Sequence, residues 1–189
     1  MKVLFIDACV REQSRTRALA EAVLNRLSGT VTTVRLSEQN LTPMTERELL
    51  EREAKNRNLD DPLFSYAKRF SEADCLVVAA PFWDLSFPSA LKLYLEKICI
   101  GGITFRYGKN GAIESLCRAD RLFYVTTAGG YIRDKNFGFN YVKALSETFF
   151  GISKVFFFSA EGLDIHGNKP DEILQNAKQR VQTYFDENA

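Results

Sequence analysis

Five short apolar or β-branched segments constrain this chain more than anything else in it: Val3–Ile6, Val31–Leu36, Cys75–Ala80, Leu122–Thr126 and Lys154–Ser159. Val3–Ile6 and Cys75–Ala80 have no polar alternation at all, which is the pattern of strands covered on both faces. Val31–Leu36 carries Thr32, Thr33 and Arg35 and reads as a strand nearer an edge. Between the segments lie stretches with helical periodicity. Ser14 can cap a helix whose apolar positions Ala18, Leu19, Ala22, Val23 and Leu27 share one face, with Gly29 ending it. Residues 37 to 61 are polar, with a helical patch over Glu46–Asn56, and a further helix is expected over Pro62–Ala73. Pro88 suits the first turn of a helix that buries Leu91, Leu95 and Ile98 and stops at Gly101-Gly102. Residues 103 to 118 read as a loop or small hairpin, Phe139–Phe150 as a helix, and the last helix starts at Pro170.

Strands that alternate with helices require right-handed crossovers, and hence a parallel sheet with helices on both faces. Five strands in 189 residues fit the flavodoxin-like order 2-1-3-4-5 better than the six strands of a full dinucleotide fold. The expected architecture is therefore α/β, doubly wound, with residues 1–189 forming one domain.

Composition narrows the function. Hydrophobic residues make up 46% and charged residues 26%, a globular profile. With 25 Lys+Arg against 24 Asp+Glu the formal net charge is +1, so no basic field points to nucleic acid. No apolar run approaches the roughly 20 residues that span a bilayer. The apolar start ends at Asp7 and reads as a buried strand rather than a secretory leader. Four cysteines without a C-x-x-C pair suit reduced thiols in a cytoplasm, and the single histidine, His166, leaves little room for a zinc site or a catalytic triad.

In such sheets ligands bind at the carboxyl ends of the strands beside the switch point. Three unusual loops leave those ends, and the expected strand order brings them together. The first delivers Ser14, Arg15 and Thr16 to a helix start, where free N–H groups, hydroxyls and a guanidinium make a phosphate site. The second, Pro81-Phe82-Trp83-Asp84-Leu85, sets aromatic rings on a turn, a wall for a flat ring system. The third, from Thr127 through Gly129 and Gly130 to Tyr131, brings backbone close to a ligand. There is no G-x-G-x-x-G, Walker A or H-E-x-x-H pattern, so the crevice suits one phosphate and one flat ring, as FMN presents. Tyr131 and His166 are candidate substrate contacts. A rival occupies the first loop: Cys9 to Thr16 matches C-x5-R-[ST], which resembles tyrosine phosphatases with a nucleophilic Cys9 and a cradling Arg15. That loop, however, lacks glycine and carries Glu12.

Ala80-Pro-Phe-Trp-Asp-Leu, the segment Pro88 to Glu96, Gly102-Ile-Thr-Phe-Arg-Tyr with its following Asn-Gly, Gly129-Gly130 and Ala160-Glu-Gly162 together resemble the flavodoxin-like NAD(P)H oxidoreductases, especially FMN-dependent NADH-azoreductases and quinone reductases. The resemblance implies non-covalent FMN, with Cys9 and Ser14–Thr16 around its phosphate, Pro81–Leu85 along its ring, and Thr127, Gly129 and Gly130 at the pyrimidine end. It implies NADH or NADPH as donor, a quinone, azo or nitro acceptor, a ping-pong cycle and a homodimer. Phe82, Trp83, Phe87, Phe105 and Tyr107 are expected to form the apolar surface of that dimer. Asp84 stands where the family usually has asparagine, and Ala128 where it often has a polar residue. A flavodoxin-type electron carrier is the remaining alternative, disfavoured by the near-neutral charge.

Overall fold

The computed structural model describes residues 1–55 and 58–188. Five parallel strands form one sheet in the order β2-β1-β3-β6-β7: β1 Lys2–Asp7, β2 Thr30–Arg35, β3 Cys75–Ala79, β6 Arg121–Thr127 and β7 Lys154–Ala160. This is the order 2-1-3-4-5 expected for a doubly wound sheet. In register, Val3 pairs with Val31 on one side of β1 and with Cys75 on the other. Strand side chains alternate between faces, and the two cores follow from that. Val3, Phe5, Val77, Phe123 and Val125 pack against α1 (Arg15–Leu24) and α6 (Pro170–Glu187), through Leu19, Ala20, Val23, Ala177 and Val181. Leu4, Ile6, Leu76, Val78, Leu122 and Tyr124 face α3 (Ser65–Ser71), α4 (Ser89–Ile98) and α5 (Phe137–Thr148) through Phe70, Leu91, Tyr94, Leu95, Ile98 and Val142. Most of β2 is exposed, as its edge position demands.

Differences from the sequence reading lie at element ends. Leu36 opens a 3₁₀ turn over Leu36–Glu38 rather than ending β2. α1 stops at Leu24 with Asn25 as its cap, although Leu27 still packs on the core beyond it. The helix expected over Pro62–Ala73 is a 3₁₀ turn, Pro62–Phe64, that runs into α3. Pro88 caps α4 instead of beginning it. α5 starts and ends two residues earlier than expected, held at its start by the Asn136 side chain, which accepts from the Phe139 N–H at 3.1 Å. The polar excursion carries α2 (Glu46–Lys55), while Asn56 at the end of the expected patch lies outside the described residues. Residues 103 to 118 hold a two-stranded hairpin, β4 Phe105–Tyr107 with β5 Ile113–Ser115. Phe105, expected on the surface, is buried there, edge-on to Phe149 at 4.9 Å. No helix among the described residues is long and apolar enough to cross a membrane.

Candidate functional site

The loops after β1, β3 and β6 converge on one cavity of about 760 Å³, within the roughly 300–1,000 Å³ of small-molecule sites. Its walls include Ser14, Arg15 and Thr16 from the first loop, Pro81, Phe82 and Trp83 from the second, and Thr127 and Gly129 from the third. Adjacent parallel strands put their carboxyl ends side by side, so the convergence is a consequence of strand order.

At one end of the cavity α1 begins. Ser14 is extended, and its hydroxyl accepts from the Arg17 N–H at 3.3 Å. The first i→i+4 backbone bond runs from Ala18 N–H to Ser14 C=O, so Arg15 and Thr16 keep their N–H groups free for a ligand. Buried Thr16 shares a hydroxyl hydrogen bond with Thr127 at 2.6 Å, which locks the first loop to the third and leaves one hydroxyl proton free. Arg15 reaches across to Asp164, with Nη1 3.3 Å from the carboxylate, and both side chains stay exposed. The helix dipole, two free N–H groups and a half-exposed guanidinium together make an anion site.

The second loop forms the aromatic wall. Trp83 and Ser86 exchange backbone bonds of 3.1 and 2.7 Å around Asp84 (φ 49°) and Leu85 (φ 66°). Two successive left-handed residues define a type I′ turn, which normally selects Asn-Gly or Asp-Gly. Leucine there is strained. Tertiary contacts hold the turn: Phe137 N–H donates to Leu85 C=O at 3.1 Å, and α5 approaches so closely that a Cβ on Gly138 would lie 3.0 Å from the Ser86 carbonyl carbon. Phe82 N–H is spent on Thr127 C=O and Trp83 N–H on Ser86 C=O. Only Asp84 and Leu85 therefore keep main-chain donors in this loop, although the sequence pointed to the whole stretch. Both residues sit on the tip, outside the cavity wall.

The third loop is braced from behind. Gly162, Leu163 and Asp164 N–H groups donate to the carbonyls of Gly130, Ala128 and Gly129, and Glu161 accepts from Ile132 N–H at 2.9 Å. The carbonyls are consumed, while the N–H groups of Gly129 and Gly130 have no partner among the described residues. A Cβ on Gly129 would sit 2.5 Å from the Asp164 carboxylate, so a larger residue there would have to push that exposed side chain aside.

Of the remaining sequence candidates, Gly130 lies just beyond the cavity wall and Tyr131 is exposed at the rim with its ring against Gly162. His166 is exposed in the turn beyond Asp164 and does not line the cavity. Cys9 departs furthest from its expected place. Its side chain belongs to the core behind the loop, with Sγ 3.9 Å from the Ala79 carbonyl, and burial pushes the thiol up to about 12. A phosphatase nucleophile needs an accessible thiolate near neutral pH, so the geometry removes that alternative.

Sequence reasoning missed Asp7 and Arg17. Asp7 is fully buried at the end of β1; its Oδ1 accepts from Cys9 N–H at 2.9 Å, and its Oδ2 from Arg17 Nε at 2.6 Å. Arg17 donates onward to the carbonyls of Arg11 (3.1 Å), Glu12 (2.6 Å) and Cys9 (3.3 Å). Burial opposes its charge, but the bond to Asp7 and the attraction of that carboxylate prevail and hold the guanidinium above its ordinary range. The available signal was a carboxylate closing an apolar strand, since such a group needs a partner.

Comparison with known proteins identifies the family. A family model described as flavodoxin-like fold matches residues 1–185. The FMN-dependent NADH:quinone oxidoreductase 2 of Clostridium acetobutylicum is 31% identical over 96% of each chain, and the FMN-dependent NADH:quinone oxidoreductase of Coprothermobacter proteolyticus likewise. Among solved structures, an FMN-dependent NADH-azoreductase from Bacillus anthracis in complex with FMN superposes with a TM-score of 0.82 over 99% of each chain at 21% identity, a likeness of fold. The chain belongs to this flavodoxin-like family, alongside the NADH:quinone oxidoreductases of those two bacteria.

Proposed function

We propose that the protein is an FMN-dependent NAD(P)H oxidoreductase that reduces quinones and azo compounds. The observation that carries this reading is a single cavity with an anion-binding helix start at one end, an aromatic turn along its side, and the unpaired backbone N–H of Gly129 in its wall. FMN fits that donor set. Ser14, Arg15 and the α1 N–H groups would hold its phosphate, Phe82 and Trp83 would line its ring, and the N–H groups of Gly129 and Gly130 would meet the pyrimidine end. Asp84 and Leu85 N–H groups would serve the opposite edge. When bound, FMN supplies the two-electron redox chemistry between nicotinamide and acceptor.

The side chains contribute binding and orientation rather than proton transfer. No histidine lines the cavity, His166 lying outside it, and of the carboxylates that do, Glu12, Glu21 and Asp164, the last is paired with Arg15. Donor and acceptor would use the same open face in turn, which gives ping-pong kinetics. Trp83, Phe137 and Tyr141 are exposed beside this face, and burying them in a homodimer would complete the wall. The four free thiols suit a reducing compartment such as the cytoplasm.

Reconstitution tests the reading. Protein saturated with FMN should oxidise NADH with benzoquinones and azo dyes, giving parallel double-reciprocal lines. Protein that takes up no FMN, or turns over with intersecting lines, refutes it.

A further inference from the structure

The first loop poses a problem that its sequence does not solve. Backbone cradles for phosphate ordinarily use glycine or left-handed residues so that successive N–H groups converge. Residues 8 to 16 contain no glycine, and none of them has positive φ. The carbonyls of Cys9, Arg11 and Glu12 nonetheless all accept from one guanidinium, that of Arg17. A trans peptide points its N–H opposite to its C=O. Three carbonyls gathered on Arg17 therefore turn the N–H groups of Val10, Glu12 and Gln13 away from it. All three residues line the cavity, and none of these N–H groups has an acceptor among the described residues. Asp7 anchors the arrangement from below: one carboxylate oxygen fixes Arg17 and the other fixes the Cys9 N–H.

We infer that Asp7 and Arg17 are positioning residues, a partly buried ionic hub that orients the Val10, Glu12 and Gln13 amides toward the phosphate of the bound cofactor in place of a glycine-rich turn. Arg17 also lines the cavity, but with one Nη2 proton unspent it acts chiefly through the backbone. Its Nε and Nη1 protons are all engaged and one Nη2 proton is engaged as well, against a single exposed contact for Arg15. The inference rests on the FMN reading, and the test separates the two.

Removing Arg17 alone would strand the buried Asp7 charge and endanger folding, so the main variant is the double replacement Asp7→Asn with Arg17→Met. FMN and riboflavin differ only at the phosphate, so their affinity ratio for the apoprotein reports the loop and not general damage. FMN affinity should fall at least about 30-fold while riboflavin affinity stays within about threefold, since several hydrogen bonds to a charged group are misplaced. Arg17→Lys, which keeps the charge but cannot bridge three carbonyls, should lose most of the same ratio. In the unmodified protein, FMN but not riboflavin should shift the backbone amide resonances of Val10, Glu12 and Gln13. An unchanged ratio in a folded variant, equal loss of both ligands, or unmoved amides overturns the hub. Unmodified protein that binds FMN no better than riboflavin overturns the cofactor reading itself.

Discussion

Replacing Asp164 by asparagine should tighten FMN binding without weakening the fold. Asp164 holds Arg15 by one contact of 3.3 Å, with side chains 75% and 46% exposed. Exposed ion pairs of that kind contribute about 0–1 kcal/mol, so the variant should lose less than about 1 kcal/mol, or at most about 4 °C in Tm for a chain of this size. Asp164 and Arg15 both line the cavity, so a phosphate arriving there must take Arg15 from a carboxylate and then sit near that carboxylate. Asparagine removes both costs. A gain of up to about 1 kcal/mol corresponds to roughly fivefold in Kd, since 1.4 kcal/mol is tenfold. Titration of apoprotein by quenching of flavin fluorescence measures it directly. The gain should be largest at low ionic strength, shrink by about 0.2 M salt as screening shortens the reach of both charges, and be absent for riboflavin. Weaker FMN binding, or equal effects on both ligands, would show that Asp164 supports the site rather than competes in it.

Two further outcomes follow from other features. Leu85→Gly should stabilise the fold by up to about 1 kcal/mol in urea titrations, because glycine relieves roughly 1–2 kcal/mol of left-handed strain at φ 66° and returns about 0.5–1 in chain entropy; a loss of stability would mean that the half-exposed leucine packs against a partner. All four thiols are raised by burial, Cys9, Cys75 and Cys117 to about 12 and Cys99 to about 11. The fold keeps them protonated while the unfolded chain ionises near 9, so stability should be fully present below pH 9 and decline as pH climbs toward 11, with a shallower decline in Cys75→Ala.

The sheet was legible because burial on both faces leaves an unmistakable mark: Val3–Ile6 and Cys75–Ala80 carry no charged or hydroxyl residue, alternation with helices makes the sheet parallel, and the count of five strands matches the order 2-1-3-4-5. The cavity was legible at one remove, as the place where that order sends the loops. What the sequence hid is long-range or forced. Arg15 finds Asp164 across 149 positions, and nothing local marks the pair. Asp84-Leu85 carries no glycine to announce a type I′ turn; the clasp of α5 on Leu85 imposes it against local preference. Phe105 looked like surface because the hairpin that folds it onto Phe149 is only three residues per strand.

The two arginines at the head of α1 divide the labour, and salt should tell them apart. Arg17 is paired with a fully buried Asp7, so the hub carries no net charge and adds little long-range field. Its effect is geometric and should survive high ionic strength. Arg15 is half-exposed, held by one long contact, and supplies a charge that the phosphate can capture. Arg15→Gln should therefore flatten the dependence of FMN affinity on salt between about 0.02 and 0.2 M, where the Debye length contracts from roughly 20 to 7 Å. The double variant of Asp7 and Arg17 should bind FMN weakly at every salt concentration but keep the slope of the unmodified protein. If the hub variant flattened the slope and Arg15→Gln did not, Arg17 would be the phosphate's counter-charge, and the division of roles between shaping and binding would have to be reversed.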